Sequence, residues 1–281
     1  MGIIYNYYRF KPFIRIILFV VVFLLTIFCT NHEQLAVCLF SISVFFFHEF
    51  KCKKLVSVVL CLSLLSLIFC LVCPGNYLRL QQSIQSFIPQ FSSYSLFQKL
   101  YLGVSSGLYT LTFTDCLPFT LCLTSLVFAK FRKFSYVLLT LVVEYFILKE
   151  IVKFIIKHSG LKFDGTFVSI FPVTAFTILL VLVLTLFALT YILKINLKQK
   201  VEISFFILLA YTIKFIAGFS PTVFASQERT ALFSEIILIL TSLYILLTSK
   251  VGKCQTSLIL CLFVVYTNAR HMFPIILGYL H

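Results

Sequence analysis

Tryptophan is absent from the chain, methionine occurs twice, and aspartate and glutamate together number nine against 23 lysines and arginines. The shortage of charge decides most. Only 11% of the residues are charged while 61% are hydrophobic, and the mean hydropathy is +1.08. A water-soluble fold draws its polar surface from about half of its residues, and these residues are missing here. Without tryptophan, anchoring at a lipid–water boundary falls to tyrosine, lysine and arginine. With so few carboxylates, no tightly held divalent cation is expected, and neither a metal nor a cofactor is implied. The sequence shows no low-complexity tail, fixed-period repeat or soluble domain, so residues 1–281 read as one transmembrane domain.

What the chain does have is long apolar stretches. In hydrocarbon every backbone N–H and C=O needs an internal partner, which leaves helices or closed barrels as spanning forms. Barrel strands alternate in polarity, whereas residues 16–29 and 177–188 are continuously apolar. The expected fold class is therefore all-α: a polytopic helical bundle of about nine spans. Spans are expected near residues 12–30, 35–50, 54–73, 108–129, 134–150, 168–193, 201–219, 231–248 and 256–276. The first lacks a small-residue cleavage site and reads as a retained helix.

The net charge of +14 would suggest nucleic acid in a soluble protein, but here the cations lie between apolar runs and act as orientation signals. Arg9 and Lys11 precede the first span. Lys51, Lys53 and Lys54 follow the second; Lys130, Arg132 and Lys133 the fourth; Lys194, Lys198 and Lys200 the sixth; Lys250 and Lys253 the eighth. With nine spans all of these clusters share one side, expected to be cytoplasmic, with the N-terminus in and the C-terminus out. The localisation implied is a multi-pass protein of a bacterial cytoplasmic membrane. Membrane lipids are its expected surroundings, and nucleic acid is not an expected partner.

Ten cysteines are read as lipid-compatible fillers, since Cys29, Cys38, Cys61, Cys70, Cys122 and Cys261 fall in or at the ends of apolar runs. Cys70 and Cys73 form a lone CxxC with no second pair or histidine cluster, so it does not read as a metal site.

The polar strings then gather outside. Residues 74–79, Pro-Gly-Asn-Tyr-Leu-Arg, are expected to end the third span and turn the chain, returning Arg79 to the membrane surface in a position suited to a phosphate. Residues 81–107 and the run holding Lys149, Lys153 and Lys157 are each expected to form an interfacial amphipathic helix. Ser220, Pro221 and Thr222 lead to Ser226, Glu228, Arg229 and Thr230, with Ser226 or Thr230 a candidate helix cap. Arg229 near a helix N-terminus suits an anion. In the first outer loop Asn31, His32, Glu33 and Gln34 set a carboxylate beside an imidazole, and Arg270 closes the set near the outer end of the ninth span. Within the spans, Asp115, Glu144, Lys214 and Glu235 are ionisable groups at a depth where an unpaired charge costs at least about 2.5 kcal/mol. An ion pair between Lys214 and Glu235 is expected. No Gly- or Pro-interrupted span pair of the kind that marks transporters is apparent.

The turn at residues 74–79, the loop at residues 220–230 and the polar string at residues 31–34 resemble motifs of a bacterial polytopic family similar to GT-C glycosyltransferases. The resemblance implies an enzyme that uses a polyprenyl-phosphate-linked sugar on the outer face, with a glycan acceptor, in cell-surface polysaccharide assembly. In that reading Glu33 is the catalytic base, and His32, Asn76, Arg79, Ser220, Thr222, Glu228, Arg229 and Arg270 bind substrate. The chain departs from the pattern by its shorter length and its lack of a paired acid in the first outer loop. Under this resemblance it is expected to be either a shortened relative or the C-terminal part of a split protein. Two alternatives stay open: a polysaccharide repeat-unit polymerase, and a non-catalytic lipid-linked glycan flippase, transporter or assembly subunit.

Overall fold

The structure is a computed structural model that describes residues 11–30, 33–47, 53–72, 74–86, 89–114, 117–144, 173–219, 227–249 and 251–252. Among these residues all regular structure is helical, with no strand. The helices are α1 (Pro12–Thr30), α2 (Glu33–Phe45), α3 (Lys53–Val72), α4 (Pro74–Ser86), α5 (Leu96–Tyr109), α6 (Leu117–Phe131), α7 (Phe134–Glu144), α8 (Val173–Ile192), α9 (Leu197–Phe215) and α10 (Gln227–Thr248). Short 3-10 turns cover Pro89–Ser93 and Ile216–Phe219, and a π turn covers Thr110–Thr114. The expected ninth span, residues 256–276, and the lysine-bearing run after α7 lie outside the described residues.

Within α10, Ala231–Thr248 is long and apolar enough to cross a membrane alone, at 18 residues and a mean hydropathy of 2.1. Residues Leu96–Thr112 and Leu117–Phe131 reach that standard only as a pair bent by 69°. Shorter apolar helices include Phe13–Cys29, Gln34–Phe45, Phe134–Glu144 and Leu179–Ile192. Large apolar side chains cover the outside. On α1, Phe13 is 73% and Phe28 80% exposed, and on α10 Leu247 is 75% exposed.

Packing is organised around α9 and α10. The central core joins Leu108 and Leu111, Phe119 and Cys122 of α6, Leu179 and Leu186 of α8, Ile203, Ile207 and Tyr211 of α9, and Ala231 and Ile245 of α10. An N-terminal group, α1 to α3, closes on Val22, Leu55, Val56 and Val59. It docks through α2: Phe45 stacks on Phe205 of α9, with ring centroids 3.8 Å apart and planes at 10°. Cys38 shares a cluster with Leu209, Ala210, Ile213, Ile237 and Leu238. On the far side α7 covers α6, with Phe134 against Phe128 at 4.9 Å and Val137 buried beside Leu121 and Leu246.

Three expectations are corrected here. Pro-Gly-Asn does not turn the chain after α3, because Pro74 opens α4. Proline suits the first helical position, where its missing N–H has no acceptor anyway. Residues 81–107 are not one interfacial helix. The segment divides into the end of α4, a 3-10 turn and α5, and the second half of α5 enters the bundle, with Gly103, Ser105, Ser106, Gly107 and Leu108 buried. A capping box sets that new start: Gln98 N–H donates to Ser95 Oγ at 3.3 Å, and Ser95 N–H donates to Gln98 Oε1 at 2.7 Å. The fourth span is also not the uninterrupted helix 108–129. That stretch runs from the end of α5 through the π turn into α6, and α5 and α6 meet at a 69° bend.

The basic end of the bundle is tied by lysine and arginine donors to helix-end carbonyls, which have no partner within their own helix. Lys130 Nζ reaches Ile192 O at 3.2 Å, Lys200 Nζ reaches Tyr191 O at 2.7 Å, and the Arg132 guanidinium bonds Ser249 O. Asn196 caps α9 by accepting from Gln199 N–H at 2.8 Å.

Candidate functional site

Helix direction brings the polar strings to one end of the bundle. Phe45, at the end of α2, lies beside Phe205 at the middle of α9, while Cys38, earlier in α2, clusters with Leu209, Ala210 and Ile213 further along α9, so these helices run antiparallel and Glu33 opens α2 level with the end of α9. α10 is antiparallel to α9 as well, because Tyr244 near its end donates to Glu202 near the start of α9. Its first turn, with Glu228 and Arg229, therefore starts at the same end. The beginning of α3, Leu55 and Val59, packs near Phe46 and Phe47 at the end of α2. That sends the end of α3, and the start of α4 with Asn76 and Arg79, to that end too.

The backbone thus gathers Glu33, Asn76, Arg79, Glu228 and Arg229 at one end of the bundle, although their side chains lie outside what the structure describes. His32, Ser220, Thr222 and Arg270 lie outside the described residues altogether, as do Asp115 and Ser226. Of the two cap candidates, Thr230 is inside α10, which opens at Gln227.

Directly inward from this end the bundle contains a polar layer. Gln34, Ser106, Thr110, Lys214 and Ser234 are buried. Deeper, Thr112 and Tyr211 join hydroxyls at 3.1 Å across the π turn and α9. Thr120 Oγ1 donates to Glu144 Oε1 at 2.5 Å, linking α6 to α7. Cys122 and Ser242 hydrogen-bond between α6 and α10, and both Cys122 and Glu144 stand within electrostatic reach of Tyr211. These groups form a polar patch in the core. Glu144 is 2% exposed, and its second oxygen, Oε2, has no hydrogen-bond partner among the described residues.

Chain geometry at this patch is irregular for a reason. Gly107 lets α5 pass α9 so closely that a Cβ there would lie 2.6 Å from Phe215 Cδ1 and 3.3 Å from Lys214 Cγ. The helix then widens into the π turn, a feature found mostly as single turns at functional sites, before the bend into α6. Glu144 and Lys214 stand out in the sequence as ionisable groups within apolar runs. Their hydroxyl neighbours do not, since Thr and Ser are unremarkable in a membrane helix. One available signal lies in residues 103–107, Gly-Val-Ser-Ser-Gly, whose small-xxx-small spacing marks close helix packing.

Chemically the layer offers a carboxyl, an amine, a phenol and several hydroxyls sheltered from solvent. No group of three His, Cys, Asp or Glu side chains comes together among the described residues. Comparison of the chain with known family models, curated proteins and solved structures finds no match.

Proposed function

We propose that the chain is a nine-span protein of a bacterial cytoplasmic membrane, N-terminus in and C-terminus out, acting at the outer face on a polyprenyl-phosphate-linked sugar during cell-surface glycan assembly. The carrying observation is the meeting of the starts of α2, α4 and α10 at one end of the bundle, away from the lysine-rich end. In this reading Glu33 accepts the proton of the acceptor hydroxyl. Arg79 and Arg229 hold the donor phosphate and stabilise charge on the leaving group. His32, Asn76, Ser220, Thr222, Glu228 and Arg270 complete the substrate contacts. Arg229 lies in the first turn of α10, where the positive end of the macrodipole adds to its attraction for an anion.

The test is transfer of a labelled sugar from a polyprenyl-phosphate donor to acceptor in proteoliposomes. Wild-type protein is expected to make a new glycosidic bond, Glu33→Gln to lose it while retaining donor, and Arg79→Ala and Arg229→Ala to lose donor binding. Undiminished transfer by the two arginine variants defeats the phosphate role. The bent α5–α6 pair with its buried polar patch favours a second reading, a carrier for the same lipid-linked sugar, because discontinuous helices line midplane binding sites in transporters. A carrier moves the lipid across the vesicle without forming a bond, so the same vesicles separate the two readings.

A further inference from the structure

We infer that Glu144 anchors a monovalent-cation site inside the helical bundle, the cation being either an exchangeable proton or an alkali ion. One carboxyl oxygen of Glu144 accepts from Thr120 Oγ1 at 2.5 Å; the other is buried and has no hydrogen-bond partner among the described residues. Buried polar atoms in folded proteins almost always have a partner, and a carboxylate in an apolar interior requires a compensating positive charge. A proton on Oε2 or a small cation against it supplies that charge.

The surroundings fit a cation and not an anion. On α6 the carboxyl accepts from the hydroxyl of Thr120. On α9 Tyr211, whose hydroxyl is shared with Thr112 of the π turn, lies within electrostatic reach of it. The buried Lys214 stands one turn further along α9, on the side of the close crossing at Gly107. Carboxyl, phenol and hydroxyl oxygens are hard donors, which select protons and alkali ions over soft metals. The second observation is the backbone. The π turn at Thr110–Thr114 and the 69° bend to α6 interrupt the helix beside the patch. Irregular backbone at membrane depth is tolerated where it lines a cavity or is buried in protein. The inference rests on the membrane reading of the chain and is independent of glycosyl transfer.

The experiment treats the intact protein in membranes with dicyclohexylcarbodiimide, an apolar reagent that couples to protonated carboxyls, and follows the Glu144 peptide by mass spectrometry. An adduct on wild-type Glu144 is expected. If the cation is a proton, the adduct decreases severalfold as pH rises, with no effect of sodium or potassium. If it is an alkali ion, sodium or potassium replacing a bulky organic cation at fixed pH protects severalfold. Either pattern supports the site and identifies its cation. Absence of the adduct under every condition, or an adduct indifferent to pH and to both ions, overturns it. The wild-type peptide is the readout, so the result does not depend on whether Glu144→Gln folds.

Discussion

The ring of Phe215 occupies the space that a side chain on Gly107 would need, with Phe215 Cδ1 and Cε1 only 2.6 and 2.8 Å from an ideal Cβ. This crossing sets the distance between α5 and α9 and therefore the position of everything after it, including the π turn and the polar patch. Without an aqueous hydrophobic effect between helices, close backbone approach at small residues is a main source of attraction in a bilayer.

Gly107→Ala should accordingly destabilise the bundle by about 1–3 kcal/mol, the usual cost of overpacking. Thermal unfolding in detergent is the measurement. Phe215→Leu in the Gly107→Ala background should recover part of the loss, because it frees the volume the new methyl group needs. Equal stability of Gly107→Ala and wild type would remove this crossing as the determinant of helix spacing.

The hydroxyl pair of Thr112 and Tyr211, at 3.1 Å, links the π turn to α9. Tyr211→Phe and Thr112→Val should each destabilise, and the double variant should lose less than the sum. Coupling between buried polar pairs in membrane bundles averages about 0.6 kcal/mol, so a value of that order is expected from the cycle. Additive losses would mean that the two hydroxyls do not stabilise one another.

Arg132 has a φ of 58°, in the left-handed region, while its guanidinium closes the end of α10 at Ser249 O. For a residue with a Cβ that backbone costs about 1–2 kcal/mol, so the side-chain bond and the strain oppose each other. Arg132→Ala loses the bond and keeps the strain; Arg132→Gly loses the bond and the strain together. Glycine should therefore be the milder substitution by about 1 kcal/mol in thermal unfolding, and a milder alanine would show that the turn relaxes on its own.

Much of the helical order is legible from apolar run length alone. The expected 12–30, 54–73 and 231–248 fall on α1, α3 and α10 to within a few residues. What run length does not reveal is where a run bends. Residues 96–131 are apolar enough to look like one interfacial piece followed by one span, yet the capping box at Ser95 starts the helix early and the Gly107 crossing commits its second half to the core. Pro74 misleads for a related reason, since proline stops one helix and starts another with equal ease, and only the residues after it decide. The candidate site is legible as a list of polar strings. Its buried counterpart is not, because Thr120 and Tyr211 acquire meaning only when tertiary packing sets them against Glu144 and Thr112.

Whether the α5–α6 pair crosses the membrane or returns to the side it came from is testable with two surface positions. Leu78 on α4 is 60% exposed and Leu197 at the start of α9 is 70% exposed. If the bent pair is one crossing, then the pair, α7 and α8 separate these positions by an odd number of spans. A re-entrant pair makes the number even. Packing favours the crossing: α6 runs alongside α10, paired at Cys122 with Ser242 and at Arg132 with Ser249, and Lys130 reaches the last turn of α8 at Ile192. In a chain otherwise freed of cysteine, Leu78→Cys should react with an impermeant maleimide on intact cells, and Leu197→Cys only after permeabilisation. Reaction of both from the same side would make the pair re-entrant. It would also place Lys130, Arg132 and Lys133 outside and dissolve the alternation of basic clusters on which the outer-face site depends.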